Sequence, residues 1–241
     1  MRREHVQDGY DVRLEWGREG AALLGELCAV VVVIDVLSFC TAVDVAVSSG
    51  GSVLPLPWPD DQLAGRYGAV LAGRRGAPGW TPSPSSLLGL PAGTRLALPS
   101  ANGATLCALA ARSSATVLAG CLRNAAAVAR TAQYLAAGGP VGLVPAGERW
   151  ELPGEPMRPA LEDVLGAGAI AAVLPGAFSP EAELAAQQFA AARSRGLRGV
   201  LAASASGREL AADGFAADVV LAAAPDASEA APRLRDGMLV A

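Results

Sequence analysis

Asp35 is the residue best placed to do chemistry. It ends an unbroken β-branched run, Val30 to Ile34, and precedes Ser38 and a helical stretch from Phe39 to Ser49. A carboxylate between the end of a buried strand and a helix N-terminus is placed to hold a metal ion facing an anionic substrate. A plain helix cap is the competing reading. Other polar residues fall at the ends of expected strands: Ser100 to Asn102, Arg123-Asn124, Glu148-Arg149 and Ser204 to Ser206. In a parallel sheet such loops share one edge, and helix starts there add free backbone N–H groups. Together they offer carboxylates, an amide, hydroxyls and arginines, a set suited to a phosphate held with a divalent ion. Glu162 and Asp163 open a further helix that carries Gly166 and Gly168. Glycines there cost a helix ~1 kcal/mol each relative to Ala. Their presence points to close backbone packing that brings the acid pair toward Asp35. Acids offsetting a helix dipole are the alternative.

Elimination narrows the mechanism. All nineteen basic residues are Arg, which rules out a Schiff-base or P-loop lysine. The single histidine, His5, reads as a solvated terminal residue, which disfavours His-based triads and zinc sites. Cys28, Cys40, Cys107 and Cys121 form no CxxC pair and none has Arg six places on, so they read as reduced core residues. An aspartyl-phosphate mechanism needs a second Asp two places after the first, where Leu37 stands. Metal-assisted hydrolysis using carboxylates remains, in which the ion polarises a phosphoryl group and activates water.

The elements that must position these groups alternate. Strands are expected at Val12 to Trp16 (half-exposed), Val30 to Ile34, Ser52 to Leu56, Ala69 to Ala72, Arg95 to Leu98, Ala115 to Ala119, Val141 to Val144, Val200 to Ala203 and Asp218 to Ala222, with Met238 to Val240 as an edge. Ala21 to Cys28 reads as helix or loop. Helices are expected at Asp60 to Tyr67, Ala104 to Ala111, Arg123 to Ala137, Pro159 to Val173, Glu181 to Ser194 and Arg208 to Ala212. The alternation predicts an α/β fold, layered α/β/α, with a largely parallel or mixed sheet. Residues 1–241 read as a single domain, with room for two lobes. Gly73 to Pro91 breaks every pattern; its Arg74 and Arg75 either bind an anion or are solvated.

A net charge of −4 with acids and Arg interspersed argues against a nucleic-acid face. No segment has ~18 consecutive apolar residues, and Met1 to His5 leads into polar sequence, so no membrane partner and a cytoplasmic setting are expected. A homodimer is only the default expectation for a soluble enzyme.

Five stretches, in order, resemble the 2-phosphosulfolactate phosphatase family: Val33-Ile34-Asp35-Val36-Leu37, Ala101-Asn102-Gly103-Ala104, Gly120-Cys121-Leu122-Arg123-Asn124-Ala125, Leu161 to Gly168, and Ser206-Gly207-Arg208-Glu209-Leu210. The resemblance implies a Mg²⁺-dependent phosphatase acting on 2-phospho-3-sulfolactate, a step toward coenzyme M, on a fold that is not haloacid-dehalogenase-like. Read from the residues themselves, Asp35 and Asp163 are the expected catalytic groups, and Asp35 with Glu162 or Asp163 is expected to hold the metal. Ser38, Asn102, the N–H groups near Gly103, and Arg123 or Arg149 are expected to bind the small phosphorylated acid. The chain departs from the family pattern at Ser38, where Arg is usual, and at Arg74, where Glu is usual. The alternative is a family member that binds an anionic metabolite without turnover.

Overall fold

The computed structural model describes residues 3–150, 152–154 and 156–241. Of the polar N-terminal stretch Met1 to His5, Met1 and Arg2 lie outside the described residues; His5 is exposed. The strands are β1 (Val12–Leu14), β2 (Val30–Ile34), β3 (Ser52–Leu56), β4 (Val70–Leu71), β5 (Arg95–Pro99), β6 (Thr116–Gly120), β7 (Val141–Pro145), β8 (Glu148–Arg149), β9 (Met157–Arg158), β10 (Arg233–Arg235) and β11 (Met238–Val240). The α-helices are α1 (Gly17–Leu27), α2 (Phe39–Ser48), α3 (Asp61–Arg66), α4 (Gly103–Ala110), α5 (Ala125–Ala136), α6 (Leu161–Ala171), α7 (Pro180–Arg195), α8 (Leu197–Ala203), α9 (Ala205–Ala212) and α10 (Ala216–Ala222).

Nine strands form one mixed sheet in the order β1-β7-β2-β6-β10-β11-β3-β5-β4; β8 and β9 form a separate antiparallel pair. β1, β7, β2 and β6 run parallel, as do β3, β5 and β4. The β10–β11 hairpin joins the two sets. It pairs antiparallel with β6 through Arg233 and Leu118, and with β3 through Leu239 and Val53. Met238 to Val240 is therefore an interior strand and not the expected edge.

β2 explains why the rest assembles around it. Side chains alternate between faces along a strand, yet every residue of Val30 to Ile34 is fully buried, so both faces are covered. α1 and α4 pack on each other and on β2; α5 and α6 also pack on each other and on β2. α6 reaches the sheet because Gly166 carries no Cβ. One added there would stand 2.8 Å from Ile34 Cγ2 and from Val36 Cγ2. At Gly168 an added Cβ would run into the Ala185 carbonyl of α7. The close packing expected from the two glycines is present.

The structure changes several sequence expectations. Val200 to Ala203 and Asp218 to Ala222 are helical, within α8 and α10. Runs this short do not distinguish strand from helix by periodicity, and Ser204 starts α9 by accepting the Gly207 N–H at 3.1 Å. β1 is buried throughout and not half-exposed. Arg13 is tolerated there because its guanidinium donates to the carbonyls of Tyr10 and Val6, both at 3.0 Å. Residues 17–27 are helix, α6 starts two residues after Pro159, and Arg123 lies in a 3-10 turn ahead of α5. No helix among the described residues is long and apolar enough to cross a membrane.

Candidate active site

Asp35 sits one residue beyond β2, and its two oxygens face different elements. Oδ1 accepts the Phe39 N–H of α2 at 3.1 Å, and Oδ2 accepts the Gly103 N–H of α4 at 2.9 Å, with Ser100 Oγ at 3.5 Å. Asp35 thus caps one helix and binds the start of another. Gly103 is required for this approach: a Cβ there would stand 2.8 Å from Asp35 Oδ2 and would overlap the Phe39 ring.

Asp35 opens onto a cavity of about 170 Å³, lined also by Ser38, Arg75, Pro82, Ser100, Asn102 and Glu148. That is space for about six waters, the scale of a small polar group or molecule. Burial pushes the Asp35 carboxyl up from 3.8 to about 6; its backbone hydrogen bonds oppose the shift, and the nearby Glu148 and Glu162 charges add to it. Glu148 is held from two sides. Its Oε1 accepts Asn102 Nδ2 and the Arg149 N–H, both at 2.8 Å.

Asp163 is buried and does not line the cavity. Its Oδ1 accepts the Val36 N–H at 2.8 Å and its Oδ2 the Gly147 N–H at 2.9 Å. One carboxylate therefore ties the segment after Asp35 to the segment before Glu148. Its pKa is raised well above the ordinary value, by burial first and then by Asp35 and Glu162. Glu162 is 3% exposed and lies close enough to raise both aspartates, but it is not among the lining residues.

The expected substrate-binding residues divide. Ser38, Asn102 and Gly103 are at or beside the cavity. Ser38 does not cap α2 through its side chain; its Oγ accepts Arg75 Nη2 at 2.9 Å. Arg123 turns away from the cavity. Its Nε pairs with the buried Asp44 at 2.8 Å and its Nη1 donates to the Leu221 carbonyl at 3.3 Å. Arg149 lies on β8 and is not among the lining residues. Of the loop pair, Arg74 is exposed, while Arg75 lines the cavity. Ser206, expected at the same sheet edge, instead accepts a hydrogen bond from Arg158 at 3.1 Å.

Glu148, expected among the polar groups at this sheet edge, lines the cavity just past β7, although nothing in the sequence marked it as a ligand. The four cysteines are buried and unpaired with one another by disulfides. Burial raises every one of their thiol pKa values, so none is an activated nucleophile.

Among the described residues no three His, Cys, Asp or Glu side chains group as a protein-only metal site. Mg²⁺ does not require one, since it commonly takes one or two carboxylates and completes its shell with water and substrate phosphate. Asp35 and Glu148 match that donor set. Both face the cavity, and each carries oxygen lone pairs beyond those its hydrogen bonds use.

No curated protein matches the chain. A family model described as 2-phosphosulpholactate phosphatase matches residues 21–237. The chain belongs to that family, whose members are phosphatases acting on phosphoric monoesters.

Proposed function

We propose that this member of the 2-phosphosulpholactate phosphatase family is a Mg²⁺-dependent phosphatase. Its substrate would be 2-phospho-3-sulfolactate or a related small phosphorylated acid, cleaved to the hydroxy acid and phosphate. The observation that carries this reading is the small cavity in which Asp35 and Glu148 face a helix N-terminus on one side and Arg75 on another. Two carboxylates alone would repel a phosphate. With a divalent ion bound they would attract it; burial is the main cause of the raised Asp35 pKa, and the Glu148 and Glu162 charges that add to it are ones such an ion would offset.

Asp35 and Glu148 would hold the ion, with the nearby Glu162 charge adding to the pull. Bound there, Mg²⁺ would supply Lewis-acid polarisation of the phosphoryl oxygens. The chain's own groups do the rest. Ser100 and the Asn102 amide stand beside the carboxylates at the start of α4, where free N–H groups favour an anion. Asn102 also orients Glu148 through its 2.8 Å hydrogen bond. Asp163 fixes the spacing of the Asp35 and Glu148 segments and takes no direct part in the reaction.

Phosphate release from a panel of small phosphorylated acids, with Mg²⁺ and with EDTA, tests the proposal. Mg²⁺-dependent release that disappears in Asp35→Ala is expected. Release that persists in EDTA, or full activity of the variant, would overturn it. Stabilisation by the acids without any release would identify a binding protein.

A further inference from the structure

Arg75 is the one cation among the described residues that line the cavity. It is held on four sides. Nη1 pairs with Asp218 Oδ2 at 2.6 Å; Nη2 donates to Ser38 Oγ at 2.9 Å and to the Pro82 carbonyl at 3.2 Å; and the guanidinium carbon lies 5.1 Å from the centre of the Phe215 ring. A guanidinium has five N–H groups, and these contacts use three. Two remain without a partner among the described residues. Ser38 Oγ accepts from Arg75, which leaves its own proton for an acceptor in the cavity.

Asp218 is fully buried, a costly place for a carboxylate that only decorates a helix. Its second oxygen accepts Ser83 Oγ at 2.7 Å and the Ser85 N–H at 3.0 Å. One carboxylate of α10 therefore fixes both the 73–91 loop and the arginine that loop presents. The cavity lining has two chemically different sets of groups: the carboxylates of Asp35 and Glu148, and Arg75 with the Ser38 hydroxyl it touches. A phosphoryl group held with a cation belongs with the carboxylates. Arg75 is then available for a second anionic group on the same small molecule.

We infer that Arg75 and the Ser38 hydroxyl seat one of the substrate's non-transferred acid groups, a carboxylate or sulfonate, and that Asp218 is the positioning residue that holds Arg75 there. The inference rests on the phosphatase reading above and adds the selection rule: phosphate esters with a second acid are preferred over those without one. Lys at position 75 keeps the charge but cannot reach Asp218, Ser38 and Pro82 as one fork. Asn at 218 keeps the shape but no longer offers Arg75 a charge.

The test compares kcat/KM with Mg²⁺ for 2-phospho-3-sulfolactate and for phenyl phosphate, which has no second acid. Charge-assisted hydrogen bonds of this kind set the expected scale. In Arg75→Lys and Asp218→Asn the ratio of the two values falls ~10- to 100-fold, mostly through KM for 2-phospho-3-sulfolactate. An unchanged ratio, with both substrates impaired equally, would reduce Asp218 to a structural role and overturn the inference. If Asp218→Asn does not fold, the partly exposed Arg75→Lys carries the test. If the wild type cleaves neither substrate, the phosphatase reading fails, and calorimetry with 3-sulfolactate still decides the seat. Binding that weakens at least ~10-fold in Arg75→Lys supports it; equal binding, or none to the wild type, refutes it.

Discussion

Replacing Gly103 by Ala tests the core of the site with one methyl group. The new Cβ would stand 2.8 Å from Asp35 Oδ2, about 0.6 Å inside ordinary contact, which begins near 3.4 Å, and would overlap the Phe39 ring. Phe39 is 4% exposed and has little room to retreat. Asp35 must therefore give way, together with the hydrogen bond its Oδ2 receives from the Gly103 N–H. Two effects on stability oppose each other. Ala improves helix propensity by up to ~1 kcal/mol, and overpacking costs ~1–3 kcal/mol. The net loss is ~0–2 kcal/mol, so the protein folds. Activity responds more steeply, because a misplacement of about 1 Å at a reacting centre costs ~100-fold. We expect kcat for Mg²⁺-dependent phosphate release to fall ~10- to 100-fold, with a small change in melting temperature. Adding the substitution to Asp35→Ala should cost little more, since both act on one group. A kcat within about twofold of wild type would refute the claim that the position of Asp35 governs the reaction.

Asp163→Asn places an amide where two backbone N–H groups now find oxygens, so a buried donor loses its acceptor. A loss of ~1–3 kcal/mol in urea unfolding is expected, and no loss would remove Asp163 from its role between the loops. Gly168→Ala drives a methyl into the Ala185 carbonyl, and overpacking of ~1–3 kcal/mol should outweigh the propensity gain; a higher melting temperature would contradict the α6–α7 packing. Burial raises the Asp44 carboxyl above 3.8, against the Ser228 and Arg123 contacts that lower it. The folded state thus keeps this proton after the unfolded chain has lost it, and the Asp44 contribution to stability falls as pH rises above 3.8. Asp44→Asn should flatten that part of the pH–stability curve, and an unchanged slope would show that Asp44 does not set it.

The legible parts of the site were those with local signals. A β-branched run ending on an acid marked β2 and Asp35, and paired glycines marked the approach of α6. Arg75 was marked only as one of two loop arginines, and its pairing with Asp218 had no local signal, because it spans 143 residues and Asp218 lies on a helix that reads locally as a strand. Arg123 looked like an anion-binding residue because nothing nearby in sequence reveals Asp44, 79 residues away. The alternation of elements was enough for an α/β class. The insertion of β10–β11 between the two parallel sets depends on contacts from the far end of the chain and left no pattern in either partner strand.

That insertion also orders events during synthesis. β3 and β6 are both made well before the hairpin that lies between them, so each presents an open edge while the intervening chain emerges. Open edges are templates for pairing with other chains. The nascent protein is therefore most exposed to self-association just before Arg233 to Val240 appears, and a chain terminated ahead of that segment would carry two unsealed edges into solution.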